Sequence, residues 1–124
     1  GETMKKLALL LPWCALPALA QMPTEFPAEA TAITAELFAE RAAGKSFRGV
    51  RADGVDARMD FAKDGTVVMY SRGNSVRGTW RVDGDKLCTD LVRATATCND
   101  VRLQGDVLFY KRVANNEVLK LTAN

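Results

Sequence analysis

Histidine does not occur anywhere in the 124 residues. That one absence removes the usual general base, the usual proton shuttle and the commonest metal ligand. Cysteine is scarce, with three residues at positions 14, 88 and 98, and their spacing forms no C-x-x-C redox motif. No run of basic residues occurs, and 17 Lys or Arg against 15 Asp or Glu leave a net charge of +2. There is therefore no electrostatic basis for nucleic-acid binding. Ser46, Ser71 and Ser75 lie in no nucleophile-elbow context, and without histidine they complete no triad; a Ser–Lys dyad stays open, but no motif points to one. The Asp-rich turns lack the ligand spacing of a calcium loop. With no catalytic, metal or cofactor motif, the expectation is a chain without a cofactor or metal ion. Internal repeats and low-complexity tracts are missing too, and 124 residues leave room for one domain.

What is present begins with a targeting pattern. Met4-Lys5-Lys6 is a positive start, Leu7 to Leu16 is apolar, and Pro17 precedes the A-x-A site Ala18-Leu19-Ala20. Residues 4–20 thus read as a signal peptide whose removal frees Gln21. The apolar stretch is too short for a bilayer anchor, so no membrane anchor is expected after cleavage and the destination is the periplasm or the exterior. The alternative is an amphipathic or buried N-terminal helix. Cys14 follows Leu11-Pro12-Trp13, which lacks the small residue of a lipoprotein site. Gly1-Glu2-Thr3 reads as an added remnant ahead of Met4. Once Glu2, Lys5 and Lys6 are gone, 15 basic and 14 acidic residues remain, a net charge of +1.

Residues 21–33, with Pro23 and Pro27, read as an extended arm. The domain proper is expected over 34–124. Ile33, Leu37, Phe38 and Arg41 fall at helical spacing, Thr31 or Thr34 can cap, and Gly44 can close, so Thr34 to Ala43 is expected to be one amphipathic helix. From Lys45 the period becomes two. Strands are expected at Ser46–Ala52, Ala57–Ala62, Thr66–Arg72, Ser75–Val82, Lys86–Val92, Thr95–Leu103, Asp106–Val113 and Glu117–Thr122. Turn pairs such as Asp64-Gly65, Asp83-Gly84 and Asn115-Asn116 separate them. Turns roughly every ten residues predict an antiparallel meander of seven or eight strands, rolled into a barrel or half-barrel with the helix packed on it. In the fourth strand Val76, Gly78, Trp80 and Val82 alternate with Ser75, Arg77, Thr79 and Arg81, one face inward and one wet. Met59 with Phe61, Val101 with Leu103, and Val107 with Phe109 are expected to extend the core.

Cys88 and Cys98 are the cysteines left after processing. A turn centred on Arg93, their midpoint, places them opposite each other, and a cross-strand disulfide is expected in an oxidising compartment; the functional alternative is a redox pair. Trp80 is either a core residue or a ligand-stacking platform, and Tyr70 and Tyr110 share that ambiguity. Arg77 and Arg81 share an outer face, with Arg48, Arg51, Arg58 and Arg72 on nearby strands. They read as edge protection and solubility or as a basic surface for an acidic partner. Arg58, Arg77, Arg81, Tyr70 and Trp80 are thus the candidate ligand- or partner-binding residues. Asp53, Asp56, Asp60 and Asp64 are candidate carboxylates for acid and base work, although several flank glycine where turns favour Asp.

Phe61-Ala62-Lys63-Asp64-Gly65-Thr66, the stretch from Gly78 to Cys88 and the segment Gly44-Lys45-Ser46-Phe47-Arg48-Gly49 together resemble a type of small secreted proteobacterial domain, some of whose members are described as lipocalin-like. The resemblance covers Thr34 to Leu121. It implies an exported β-barrel or half-barrel, and it transfers no catalytic residue. The expected role is non-catalytic binding of a small apolar or anionic ligand, or of a protein partner, in the periplasm. A deep apolar cavity would favour that role. Two facing carboxylates of raised pKa would favour a carboxylate-dependent hydrolase, and a flat exposed apolar patch would favour a structural or inhibitory interaction module.

Overall fold

Thr34, extended at φ −125° and ψ 167°, accepts the Leu37 amide on its hydroxyl at 3.1 Å and starts helix α1, Ala35–Arg41. Glu36 in the first turn and Arg41 in the last complement the helix dipole. The helix ends before Ala43, the expected limit, because the chain is drawn into the sheet there. Gly44, at φ +85°, donates its amide to Phe61 at 2.6 Å. The computed structural model describes residues 22–124, so the expected signal peptide and the remnant before it lie outside the described residues.

Eight strands follow, each within a few residues of its expected bounds: β2 Ser46–Val50, β3 Asp56–Phe61, β4 Thr66–Ser71, β5 Asn74–Asp83, β6 Lys86–Leu91, β7 Thr97–Gln104, β8 Val107–Lys111 and β9 Val118–Ala123. Each pairs antiparallel with the next. β9 then returns to β2 through Thr122 opposite Arg48 and Ala123 opposite Phe47, closing an eight-stranded barrel. A ninth strand, β1 Thr31–Ala32, belongs to the arm and pairs with β7 at Arg102 and Leu103.

Closure requires close approach at two glycines. A Cβ on Gly49 would run into the Lys120 carbonyl, and one on Gly78 into the Asp90 carbonyl. Only glycine lets these strands bend onto their neighbours.

The barrel interior is filled by side chains, as expected at eight strands. Phe47, Phe61, Val67, Leu87, Leu103, Leu108 and Leu121 are essentially inaccessible. Phe38 of α1 enters among them with its ring 5.1 Å from both Phe61 and Trp80. The helix therefore closes one end, where the 62–65, 84–85 and 105–106 turns also lie. The four turns at the other end (51–55, 72–73, 92–96 and 112–117) surround an open mouth.

One expected core pair is corrected. Val101 and Leu103 do face inward, but Val107 and Phe109 face out, and Leu108 and Tyr110 supply the inner face of β8. Val107 to Tyr110 is apolar at every position, so alternation cannot tell which parity is inside. The arm supplies the cover that makes the outer parity apolar as well. Pro23 accepts the Val118 amide at 2.8 Å. Phe26 lies under the Arg102 guanidinium at 4.7 Å, and Ala30, Phe109 and Val118 form a second small core.

Candidate functional site

The open end holds a cavity of about 280 Å³, near the lower limit of small-molecule sites. Its walls differ in character. Met59 and Met69 on β3 and β4 and Leu119 and Leu121 on β9 make an apolar side. Thr97 and Asn99 on β7 and Tyr110 on β8 make a polar one. The polar wall is fixed in place: Thr97 Oγ1 donates to Asn99 Oδ1 at 3.0 Å, and Asn99 Nδ2 donates to the Lys111 carbonyl at 2.9 Å. Asn99 is 4% exposed, so these bonds offset a burial cost that an unpaired amide would carry in full.

Arg51 and Arg112 line the cavity at its rim. Arg51 pairs with Asp53, whose carboxyl is held below the usual range by that bond and by the Val55 amide. Arg112 Nη1 donates to Glu117 Oε1 at 3.1 Å, while Glu117 Oε2 accepts the Ala52 amide at 2.7 Å. Glu117, 3% exposed, thereby clasps the β2–β3 turn to the β8–β9 turn across the rim. Each guanidinium keeps N–H donors beyond those its carboxylate takes.

Burial pushes the Tyr110 hydroxyl up to about 12, against smaller lowering effects of the Thr89 hydrogen bond and the Arg112 charge. The folded value lies above the ordinary 10.0, so the stabilisation of the neutral phenol is whole below pH 10. It is lost as pH rises from about 10 to about 12, on the order of 2–3 kcal/mol. We expect phenolate absorbance to show one tyrosine ionising near pH 12 in the folded protein and Tyr110→Phe to remove that step. Ionisation of Tyr110 near pH 10 before unfolding would contradict its burial.

Of the other candidate residues, Arg58 and Tyr70 also border the cavity, and the rest lie elsewhere. Cys88 and Cys98 are bonded to each other and directly opposed, with Cα atoms 3.9 Å apart. Arg93, the midpoint of the connecting loop, has φ +66°. Arg58 and Tyr70 have the outward parity of β3 and β4 and reach the cavity at its edge. Arg58 binds Asp60 through two bonds at 2.8 and 2.9 Å, and its guanidinium lies 4.6 Å from the Tyr70 ring centre. Burial raises the Asp60 carboxyl, but Arg58 and Ser46 together hold it below the usual range. Trp80 sits toward the closed end, its indole N–H donating to the Ala62 carbonyl at 2.9 Å. Arg77 lies on the upper part of β5, whereas Arg81 lies lower and faces Asp83 at 3.7 Å. The two arginines share a face but not an end.

The cavity's polar residues Thr97, Asn99 and Arg112 were not singled out by sequence reading. Their signal is a polar residue continuing an inward apolar series: Asn99 and Thr97 continue Leu103 and Val101, and Arg112 continues Leu108 and Tyr110. No protein-family model matches the chain, and no curated protein matches it in sequence.

Proposed function

We propose that this domain is a non-catalytic binding protein of the periplasm or cell exterior that takes a small amphiphile into the open end of its barrel. The ligand has a short apolar body and an anionic head. The two-sided lining of the cavity carries the reading: Met59, Met69, Leu119 and Leu121 suit the body, and Arg51, Arg112 and the Thr97–Asn99 pair suit the head. The resemblance of the sequence to small secreted domains, some of them described as lipocalin-like, implies an exported barrel and supports this reading. The carboxylates Asp53, Asp60 and Asp64 are each bound to a local partner and held below the usual range. A hydrolase acid needs the opposite, a raised pKa. The Cys88–Cys98 disulfide supports an oxidising compartment, and among the described residues no helix is long and apolar enough to cross a membrane.

The test is NMR titration with octanoate beside octanol, the same chain without charge. Octanoate is expected to shift Met59, Met69 and Tyr110 resonances and to bind more tightly than octanol. Met69→Trp, which fills the cavity, is expected to weaken binding at least about tenfold, the equivalent of 1.4 kcal/mol. No perturbation of these residues at millimolar octanoate would overturn the reading.

A further inference from the structure

Among the described residues four large aliphatic side chains are exposed: Val50, Val76, Val92 and Val113, at 61%, 38%, 56% and 62%. Singly exposed valines are ordinary, but these four are not scattered. Val50 ends β2, Val76 lies near the start of β5, Val92 opens the β6–β7 turn and Val113 lies in the β8–β9 turn. All four belong to the open end of the barrel. Each is also next in sequence to an arginine, in the pairs Val50-Arg51, Val76-Arg77, Val92-Arg93 and Arg112-Val113.

Charge divides the same way. The segments that reach the open end, residues 48–58, 70–77, 90–97 and 111–118, hold eight Lys or Arg against four Asp or Glu, a net +4. The remainder of 22–124 holds seven against ten, a net −3. Among the described residues Arg72, Arg77 and Arg93 at the open end have no ion-pair partner within 4.0 Å, whereas Arg51, Arg58 and Arg112 there are paired with Asp53, Asp60 and Glu117. The molecule is thus polarised along the barrel axis, with a positive, aliphatic rim around the mouth and a negative closed end.

We infer that the open end docks on an anionic lipid bilayer. Short aliphatic side chains interleaved with guanidinium groups match the layered chemistry of that surface, where phosphates lie just above the start of the acyl chains. The four Val–Arg pairs come from four separate parts of the chain and circle the mouth, which suits a laterally uniform partner better than one protein epitope. The negative closed end orients the barrel mouth-down in the field of the surface. Docking does not depend on what the cavity holds, so it stands or falls separately from the binding of octanoate.

The experiment is co-sedimentation of the processed protein with vesicles of phosphatidylglycerol and, separately, of phosphatidylcholine. Association with phosphatidylglycerol is expected, with a steep fall as salt rises, and little with phosphatidylcholine. Each arginine near the surface is worth about fivefold in partition, so Arg72→Gln/Arg93→Gln should weaken association by about twenty-fivefold. Val50→Ser/Val113→Ser should weaken it several-fold, and the closed-end variant Arg81→Gln should leave it unchanged. These side chains are exposed, so each variant is expected to keep the wild-type denaturation midpoint. As an independent readout, Val113→Trp fluorescence should be quenched by brominated phosphatidylglycerol. Three results would overturn the inference: no association with phosphatidylglycerol at low salt, equal loss in Arg81→Gln, or binding of soluble polyglutamate that rivals the vesicles and ignores the valines. The last would assign the rim to an acidic protein instead.

Discussion

Phe38→Ala is expected to destabilise the protein by about 3–5 kcal/mol, a large share of the roughly 5–15 kcal/mol that holds a domain together. The ring is wholly inaccessible and meets Phe61 edge-on, with ring planes at 87°. Such aromatic contacts add about 0.5–1.5 kcal/mol to simple burial. The cost falls at the high end because the walls around it are strands of a closed barrel, hydrogen-bonded on both sides, and cannot collapse into the void. α1 is only seven residues long, too short to be stable alone, so it stays folded by what Phe38 and Ala42 bury. Urea unfolding should show a lower midpoint with little change in slope. Phe38→Leu should lose less. A loss under about 1 kcal/mol for the alanine variant would mean that the helix does not close the barrel.

Glu117→Ala is the second large effect, expected at about 2–4 kcal/mol. The carboxylate is almost fully buried and receives both the Arg112 guanidinium and the Ala52 amide. Removing it leaves a donor unpaired on each side, which costs far more than the net worth of the pair. Arg112 is 25% exposed and regains some water, which keeps the figure below that of a fully buried pair. The damage is local. The β2–β3 and β8–β9 turns lose their tie, so the Ala52 amide should exchange with solvent faster by a larger factor than amides of β4 or β6 in the same variant. Glu117→Gln keeps a carbonyl oxygen for the Ala52 amide and should cost less than Glu117→Ala. Uniform loss of protection across the barrel, with Ala52 no more affected than β6, would refute the clasp.

The meander and its disulfide were legible because they are set by neighbours in sequence. Glycines at positive φ, such as Gly65 and Gly84, sit where Asp-Gly pairs announce them. A turn fixes the register of the two strands it joins, which is why Arg93 as midpoint places Cys88 opposite Cys98. Alternation likewise identified the inward face of β3 and β7, where polar residues separate apolar ones.

Three things were decided only by the tertiary structure. Closure depends on β9 meeting β2, residues more than seventy positions apart, and no turn encodes that pairing. It follows from the accumulated twist of eight strands and from Gly49 and Gly78, where neighbouring backbones come too close for a side chain. The parity of β8 depends on the arm, because an all-apolar run takes its inside and outside from whatever covers it. The cavity depends on both. Thr97, Asn99 and Arg112 are ordinary polar residues along the chain, and they become one wall facing Met59 and Met69 only once the barrel has closed. By itself the sequence determined which strands form and which neighbours pair, since those are short-range matters of turn geometry and alternation. The mouth, its clasp and its ring of Val–Arg pairs come from strands far apart in the chain, and only the closed barrel sets them around one opening.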